Sequence, residues 1–434
     1  MMDNWITGMD LSTLQAVEEN GGKFFDNGQQ ADAMEILKSY GMNLVRLRLW
    51  NDPFDENGNS YGAGGGDIET TLALAKRAKK LGVGWLLDFH YSDFWADPGK
   101  QRVPKAWRGM NEKELEQAVY EYTLQILNRC REEDIVPQMV AVGNELSNGL
   151  LWPLGELSPR RNLEEPLQTE NSLAGAGENT DSLSCEKMVN GDGRPASPEQ
   201  APEYAYKNVA AFVSAGIRAV RDFEDSQRIG RNPDNTIETA AANKIPVIIH
   251  LDNGGNNTLY RSWFDHYFAN GGEDFEYIGL SYYPFWHGTL DMLQNNMNDI
   301  AKRYGKKLVV AEVSMGFTLE DYAAYEKLAP GERKGMATKP EIAAKVPYPM
   351  TPQGQADFMR DCIRVIRQVP DGLGCGFIYW EPAWLPVPNV GWANAASCAY
   401  IREPGPYGNE WANQALFDYE GNALPALRVI ERES

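Results

Sequence analysis

Two glutamates, far apart in the chain, each close an apolar strand. Gln138-Met-Val-Ala-Val-Gly-Asn-Glu145 runs into Asn144 and Glu145, and Lys307-Leu-Val-Val-Ala-Glu312 runs into Glu312. Either residue alone reads equally well as a surface ion pair or a helix cap. Together, after the fourth and seventh of eight strands, they would stand across one cavity, and two facing carboxyl groups suit glycoside hydrolysis. At a separation of roughly 5 Å one protonates the leaving oxygen while the other attacks the anomeric carbon, with retention; a wider gap admits water and gives inversion. The pair must differ in pKa. Arg46 beside Glu312 would keep that carboxylate charged, as a nucleophile requires, and burial would hold Glu145 protonated, as an acid requires.

The elements that must position them alternate regularly. Strand candidates are Ile6–Asp10, Leu44–Trp50, Gly84–His90, Met139–Asn144, Pro246–Leu251, Tyr277–Tyr283, Leu308–Glu312 and Gly376–Trp380. Helical spacing falls between them at Gln29–Tyr40, Ile68–Leu81, Glu112–Glu132, Pro202–Phe223, Thr258–Ala269, Thr289–Tyr304 and Thr351–Gln368. In the fourth of these Val209, Phe212, Val213, Ile217 and Val220 make one apolar stripe. Eight βα units predict an α/β fold, a single-domain (β/α)8 TIM barrel spanning residues 1–434. The alternative, a doubly wound open sheet, lacks its glycine-rich phosphate fingerprint at the first helix. Along Leu44–Trp50 the apolar residues alternate with Arg46 and Arg48, and along Gly84–His90 with Asp88 and His90. In a barrel both strands therefore aim charge at the interior. Long connections at about 155–201, 316–350 and 382–414 leave strand carboxyl ends, the face on which barrel active sites are built.

The composition narrows the function. With 61 Asp+Glu against 41 Lys+Arg the formal net charge is −20, which disfavours nucleic acid or an anionic membrane as partner. No apolar stretch is long enough to span a bilayer. The first residues show no secretory leader pattern, which predicts a cytoplasmic protein or one whose leader has been removed. Five scattered cysteines without a CxxC form no disulfide framework. Metal chemistry is the rival reading of a barrel site. Of four histidines His266 falls on a helix, while His90, His250 and His287 lie near strands three, five and six, leaving a three-histidine site open beside the reading of them as donors to substrate hydroxyls. Trp50, Trp95, Trp107, Trp152, Tyr282, Tyr283, Trp286, Trp380 and Trp384 fall at or beyond strand ends, a placement suited to stacking on sugar rings along a cleft. Several such platforms imply a polymer cut internally.

These residues resemble glycoside hydrolase family 53, the arabinogalactan endo-β-1,4-galactanases, within the clan of retaining (β/α)8 glycosidases. The matching segments are Gly8-Met-Asp-Leu-Ser12, the run from Asn43 to Pro53, Asp88-Phe-His-Tyr-Ser-Asp-Phe-Trp-Ala-Asp-Pro98 with Gln101, Val142-Gly-Asn-Glu145 with Gly149–Pro153, Ser281-Tyr-Tyr-Pro284 with Trp286-His287, Ala311-Glu312, Tyr379–Trp384 and Asn413–Asp418. The resemblance implies Glu145 as acid/base, Glu312 as nucleophile and Asn144 as the ligand of the 2-hydroxyl. It implies that Arg46 and Tyr282 hold the nucleophile and that His90 and Trp380 shape the cleavage subsite. Trp50, Asp93, Trp95, His287 and Trp384 complete the expected substrate-binding set. The implied substrate is the β-1,4-galactan of pectic side chains, released as galacto-oligosaccharides by a monomer that requires no cofactor. Bacterial relatives often carry a calcium loop of alternating Asp and a His after the nucleophile strand. Phe317–Tyr325 lacks that pattern, so structural calcium is not carried over.

Overall fold

The eight strand candidates close on themselves. In a computed structural model, which describes residues 5–158, 203–231, 237–239, 244–322, 340–402 and 408–433, they are β1 (Ile6–Asp10), β2 (Leu44–Leu49), β3 (Gly84–Phe89), β4 (Met139–Val142), β5 (Val247–Leu251), β6 (Tyr277–Tyr282), β7 (Lys307–Val313) and β8 (Gly374–Tyr379). All neighbours pair in parallel, and β1 pairs with both β2 and β8, so the sheet is a closed barrel. Most of the first long connection lies outside the described residues, as do 323–339 of the second and 403–407 of the third.

Strand alternation divides the core. Val45, Leu47, Leu49, Trp85, Leu87 and Phe89 belong to the large layer between barrel and helices. Leu44, Leu86, Met139, Ile248, Val309 and Ile378 form a separate apolar plug within the barrel. Above that plug the inward positions change to Arg46, Arg48 and Asp88, all buried. The barrel is thus filled with hydrocarbon at one end and with charge at the carboxyl end, where burial is tolerable only because the charges pair.

The helices start where side chains can satisfy their free amides. Asp67 caps Ile68–Lys80, Asn111 makes a capping box with Glu114 for Glu112–Glu132, and Thr289 caps Leu290–Tyr304. One expectation fails at its start: Gln29–Ala31 is not helical but pairs antiparallel with Phe24–Asp26. The turn between them is Asn27-Gly28, both at positive φ (49° and 76°), which suits the twist of a two-residue hairpin. The helix begins at Ala33, after Asp32, whose carboxylate accepts from the amides of Met34 and Glu35. The helix after β8, Ala426–Glu433, and a short one inside the third connection, Ala395–Ile401, were not expected from spacing.

Candidate active site

The site is assembled around one guanidinium. Arg46, on β2, donates to Asp10 (3.0 Å), Asp88 (2.8 Å), Glu312 (2.8 Å) and Asn144 Oδ1 (2.7 Å). These partners come from β1, β3, β7 and the end of β4, so a single buried cation ties four staves together. Burial works against its charge, yet Asp88, Glu312 and Asp10 together hold it above the ordinary arginine value. Asp88 also faces Nε2 of His90 at 3.2 Å. Burial pushes Asp88 up, but Arg46 and His90 outweigh it and keep this carboxylate below its usual value.

Glu145 follows β4 on a turn that the backbone resists. Gly143 has φ 82° and Glu145 itself φ 49°, a left-handed conformation costing a non-glycine residue ~1–3 kcal/mol. Gln101 braces the turn by donating to the Asn144 carbonyl (2.8 Å). The result is convergence: one oxygen of Glu145, one of Glu312 and one ring nitrogen of His250 all lie within 4.8 Å of one another. Among the described residues this is the one place where three groups able to ligate a metal meet. The three histidines of the rival reading do not converge there. His90 accepts at Nδ1 from the Trp50 indole (3.1 Å) and the Ala96 amide (3.2 Å), and both nitrogens of His250 face protein partners.

The two carboxyl groups differ in surroundings. Both are nearly buried, at 8 % and 5 % exposure for Glu145 and Glu312. Burial raises Glu145 well above its ordinary value, and the nearby charges of Glu312 and Asp252 raise it further. Burial also raises Glu312, but Arg46 and the Tyr283 hydroxyl pull against it. Glu312 therefore ionises first, and Glu145 keeps the proton. Half-buried Asp252 is itself pushed up to about 7, chiefly by burial.

Tyr282 is a correction. Its hydroxyl donates to the Gly288 carbonyl (2.9 Å) and its ring stacks on Phe358, on the helix side of the barrel. The tyrosine that holds Glu312 is Tyr283, whose hydroxyl donates to Oε2 at 2.7 Å. Alternation along β6 is the reason: Gly279 and Ser281 face the interior, Leu280 and Tyr282 face out, and Tyr283 turns inward again. Tyr283→Phe should lower kcat about 10²-fold, whereas Tyr282→Phe should cost about 1 kcal/mol of stability with kcat within about twofold. Steady-state kinetics and denaturant titration of the two variants check this.

Three other expected contacts lie behind the cleft. Trp50, Asp93 and Trp384 are fully buried and their polar atoms are engaged. Trp50 donates to His90, Trp384 to the Val390 carbonyl, and Asp93 accepts from the amides of Asp52 and Lys105 and from Tyr400. They support the wall rather than present it. Trp95 (5 % exposed) and Trp380 (6 %) are buried as well, behind the half-buried Trp392 and Trp411. Trp95 has Arg48 over one ring at 4.2 Å and stacks on Trp392 with centroids 4.3 Å apart. Trp380 meets Trp411 edge-on at 4.7 Å, and Trp411 meets Tyr283 and Trp286. His287 is buried with Nδ1 3.1 Å from the Tyr283 amide, and burial lowers it to about 4. Sequence reasoning missed Trp392 and Trp411 because they lie deep in the third connection, away from any strand end. The signal available was a tryptophan in a long loop on the active face.

A family model, Glycosyl hydrolase family 53, matches residues 6–430. The chain is 33% identical over 450 residues to an endo-β-1,4-galactanase of Bacillus subtilis, covering 99% of this chain and 86% of that one. It is 28% identical over 431 residues to an arabinogalactan endo-β-1,4-galactanase of Humicola insolens, covering 98% of each. Among solved structures, the catalytic domain of a family 53 enzyme from Ignisphaera aggregans superposes with a TM-score of 0.76 at 32% identity, over 99% of this chain and 96% of that one. A barrel whose two strand-end glutamates meet beneath an aromatic wall agrees with these likenesses, and the chain belongs to glycosyl hydrolase family 53.

Proposed function

We propose that the protein cuts β-1,4-galactosidic bonds within galactan by double displacement, with Glu145 as acid/base and Glu312 as nucleophile. The observation that carries the chemistry is the pair of carboxyl groups within 4.8 Å in unequal surroundings. That spacing leaves no room for a water between Glu312 and an anomeric carbon, so direct attack and net retention follow. The Arg46 and Tyr283 donors on Glu312 stabilise an attacking carboxylate. Glu145, with its proton, meets the leaving oxygen and later accepts a proton from water. The choice of galactan is supported by the names of the Bacillus and Humicola relatives, and the half-buried Trp392 and Trp411, backed by Trp95 and Trp380, give sugar rings aromatic surface to pack on. The reaction so written uses no cofactor.

Incubation with linear β-1,4-galactan should give a falling viscosity and short oligosaccharides from the start. Release of galactose alone, with the polymer length unchanged, would indicate an exo-acting β-galactosidase. No product from any β-galactoside would indicate a binding protein. The pH dependence follows from the two environments. Activity rises as pH passes the apparent value at which Glu312 ionises and falls as it passes that at which Glu145 does, so kcat/KM is bell-shaped with both limbs belonging to the coupled pair. A single-limbed profile in buffered kinetics would count against the split.

A further inference from the structure

Behind Glu145 a row of buried polar groups leads away from the cleft. Ser281 Oγ lies 2.5 Å from Glu145 Oε1, His250 Nε2 lies 2.8 Å from Ser281 Oγ, and His250 Nδ1 lies 2.8 Å from Asn144 Oδ1. Ser281 and His250 have 0 % and 1 % exposure, so neither reaches substrate. Donor and acceptor roles follow by elimination. The Asn144 amide is oriented by Arg46, which donates to Oδ1, and by the Ala96 carbonyl, which accepts from Nδ2 (2.8 Å). His250 Nδ1 therefore carries a hydrogen. Burial, with Arg46 nearby, keeps the imidazole neutral, which leaves Nε2 a bare acceptor.

The serine has one proton and two neighbours. When Glu145 is protonated, its hydroxyl donates to Ser281 Oγ and Ser281 donates to His250 Nε2, and the row is complete from Glu145 to Asn144. When Glu145 is ionised, both neighbours of Ser281 are acceptors and only one can be served. We propose that Ser281, held by His250, is a two-position hydroxyl switch that supports Glu145 in both protonation states of a double displacement. This rests on Glu145 being the acid/base. In the first half-reaction the carboxyl group rotates to carry its O–H from Ser281 to the leaving oxygen, which takes the proton as the glycosidic C–O bond breaks, and Ser281 turns its own proton to the carboxylate oxygen left facing it. In the second, Glu145 takes a proton from the attacking water and Ser281 turns back to His250. His250 competes with the carboxylate for the serine proton, so it favours protonated Glu145, while Ser281 favours the ionised form by a charge-assisted bond.

Other charges bear on Glu145: Glu312 on β7, Asp252 after β5 and Asp97 after β3, with Tyr283 after β6 and Tyr260 on the helix Asn257–Ala269, and Arg46 acting through Glu312. They are common to the variants that follow, so differences report the switch. The experiment is the pH profile of kcat/KM on linear galactan for the wild type, Ser281→Ala, His250→Phe and the double variant. Ser281→Ala should move the basic limb up by about one pH unit, because the ionised form loses its charge-assisted donor. His250→Phe should move it down, because Ser281 is then always free to donate to Glu145. The double variant should match Ser281→Ala in its basic limb, since the hydrogen-bonded link from His250 to Glu145 runs through the serine, while loss of the His250–Asn144 bond lowers kcat/KM at every pH without moving the limb. An unmoved limb in Ser281→Ala, equal shifts of the same sign, or a double variant midway between the singles would overturn the switch. If His250→Phe does not fold, the direction in Ser281→Ala still decides. Glu145→Gln, measured in parallel, separates the two claims. Loss of its basic limb upholds the acid/base reading even where the switch fails, and survival of that limb overturns both.

Discussion

Glu312→Ala is expected to lower kcat on galactan by about 10⁵- to 10⁶-fold, the scale of removing a covalent nucleophile from a preorganised site. The loss should not come from unfolding. Arg46 retains its bonds to Asp10 and Asp88, so the guanidinium at the centre of the barrel stays paired when Glu312 is removed. A thermal midpoint within a few degrees of wild type checks that. The truncated side chain also leaves space facing Glu145, which is still protonated. Azide or formate supplied at high concentration should enter it and attack an activated aryl β-1,4-galactobioside from the nucleophile's side. The product would be the α-galactosyl adduct, because one displacement inverts the anomeric carbon. Turnover near wild type without added anion, or a β-configured adduct, would place the nucleophile elsewhere.

How far the sequence discloses the fold and the site depends on which physical rule governs each residue. The barrel strands were legible because their signals are local: β-branched runs, each followed by a helix with one apolar stripe. Arg46 and Asp88 were legible as inward-facing because a strand alternates and their neighbours Val45, Leu47, Leu87 and Phe89 are apolar. The same rule, applied to Tyr277–Tyr282, would have assigned the nucleophile's partner to Tyr283 rather than Tyr282. The resemblance blurred that, since two tyrosines stand side by side in Ser281-Tyr-Tyr-Pro284. Trp50, Asp93 and Trp384 sit at strand ends as expected, but whether a strand-end side chain faces the cleft or the layer behind it depends on how loops from distant parts of the chain fold over it. Asp93 is covered by Tyr400 and Lys105, and no local pattern encodes that contact. The Ser281–His250 row was equally hidden, because it forms only when β5, β6 and the end of β4 are brought side by side.

Glu145→Ala should separate the two halves of the reaction. On galactan, whose leaving group is a sugar hydroxyl needing a proton, turnover should fall by about 10³- to 10⁴-fold. On an aryl β-1,4-galactobioside with a strongly acidic phenol, departure needs no acid, so Glu312 is still galactosylated in a burst as the phenolate leaves. Steady-state turnover is then limited by hydrolysis of the galactosyl ester, where water has lost its base, and KM should fall as the ester accumulates. Azide needs no base and should restore turnover, giving the β-galactosyl azide. The two alanine variants thus predict azides of opposite configuration from one substrate. That outcome follows only if Glu145 and Glu312 flank the same anomeric carbon from opposite faces, which is what their approach within 4.8 Å requires of a bound ring. If neither activated substrate nor azide relieves Glu145→Ala, its carboxyl group is serving binding or structure. The protonation assigned to it by burial and by Glu312 would then have no part in the chemistry.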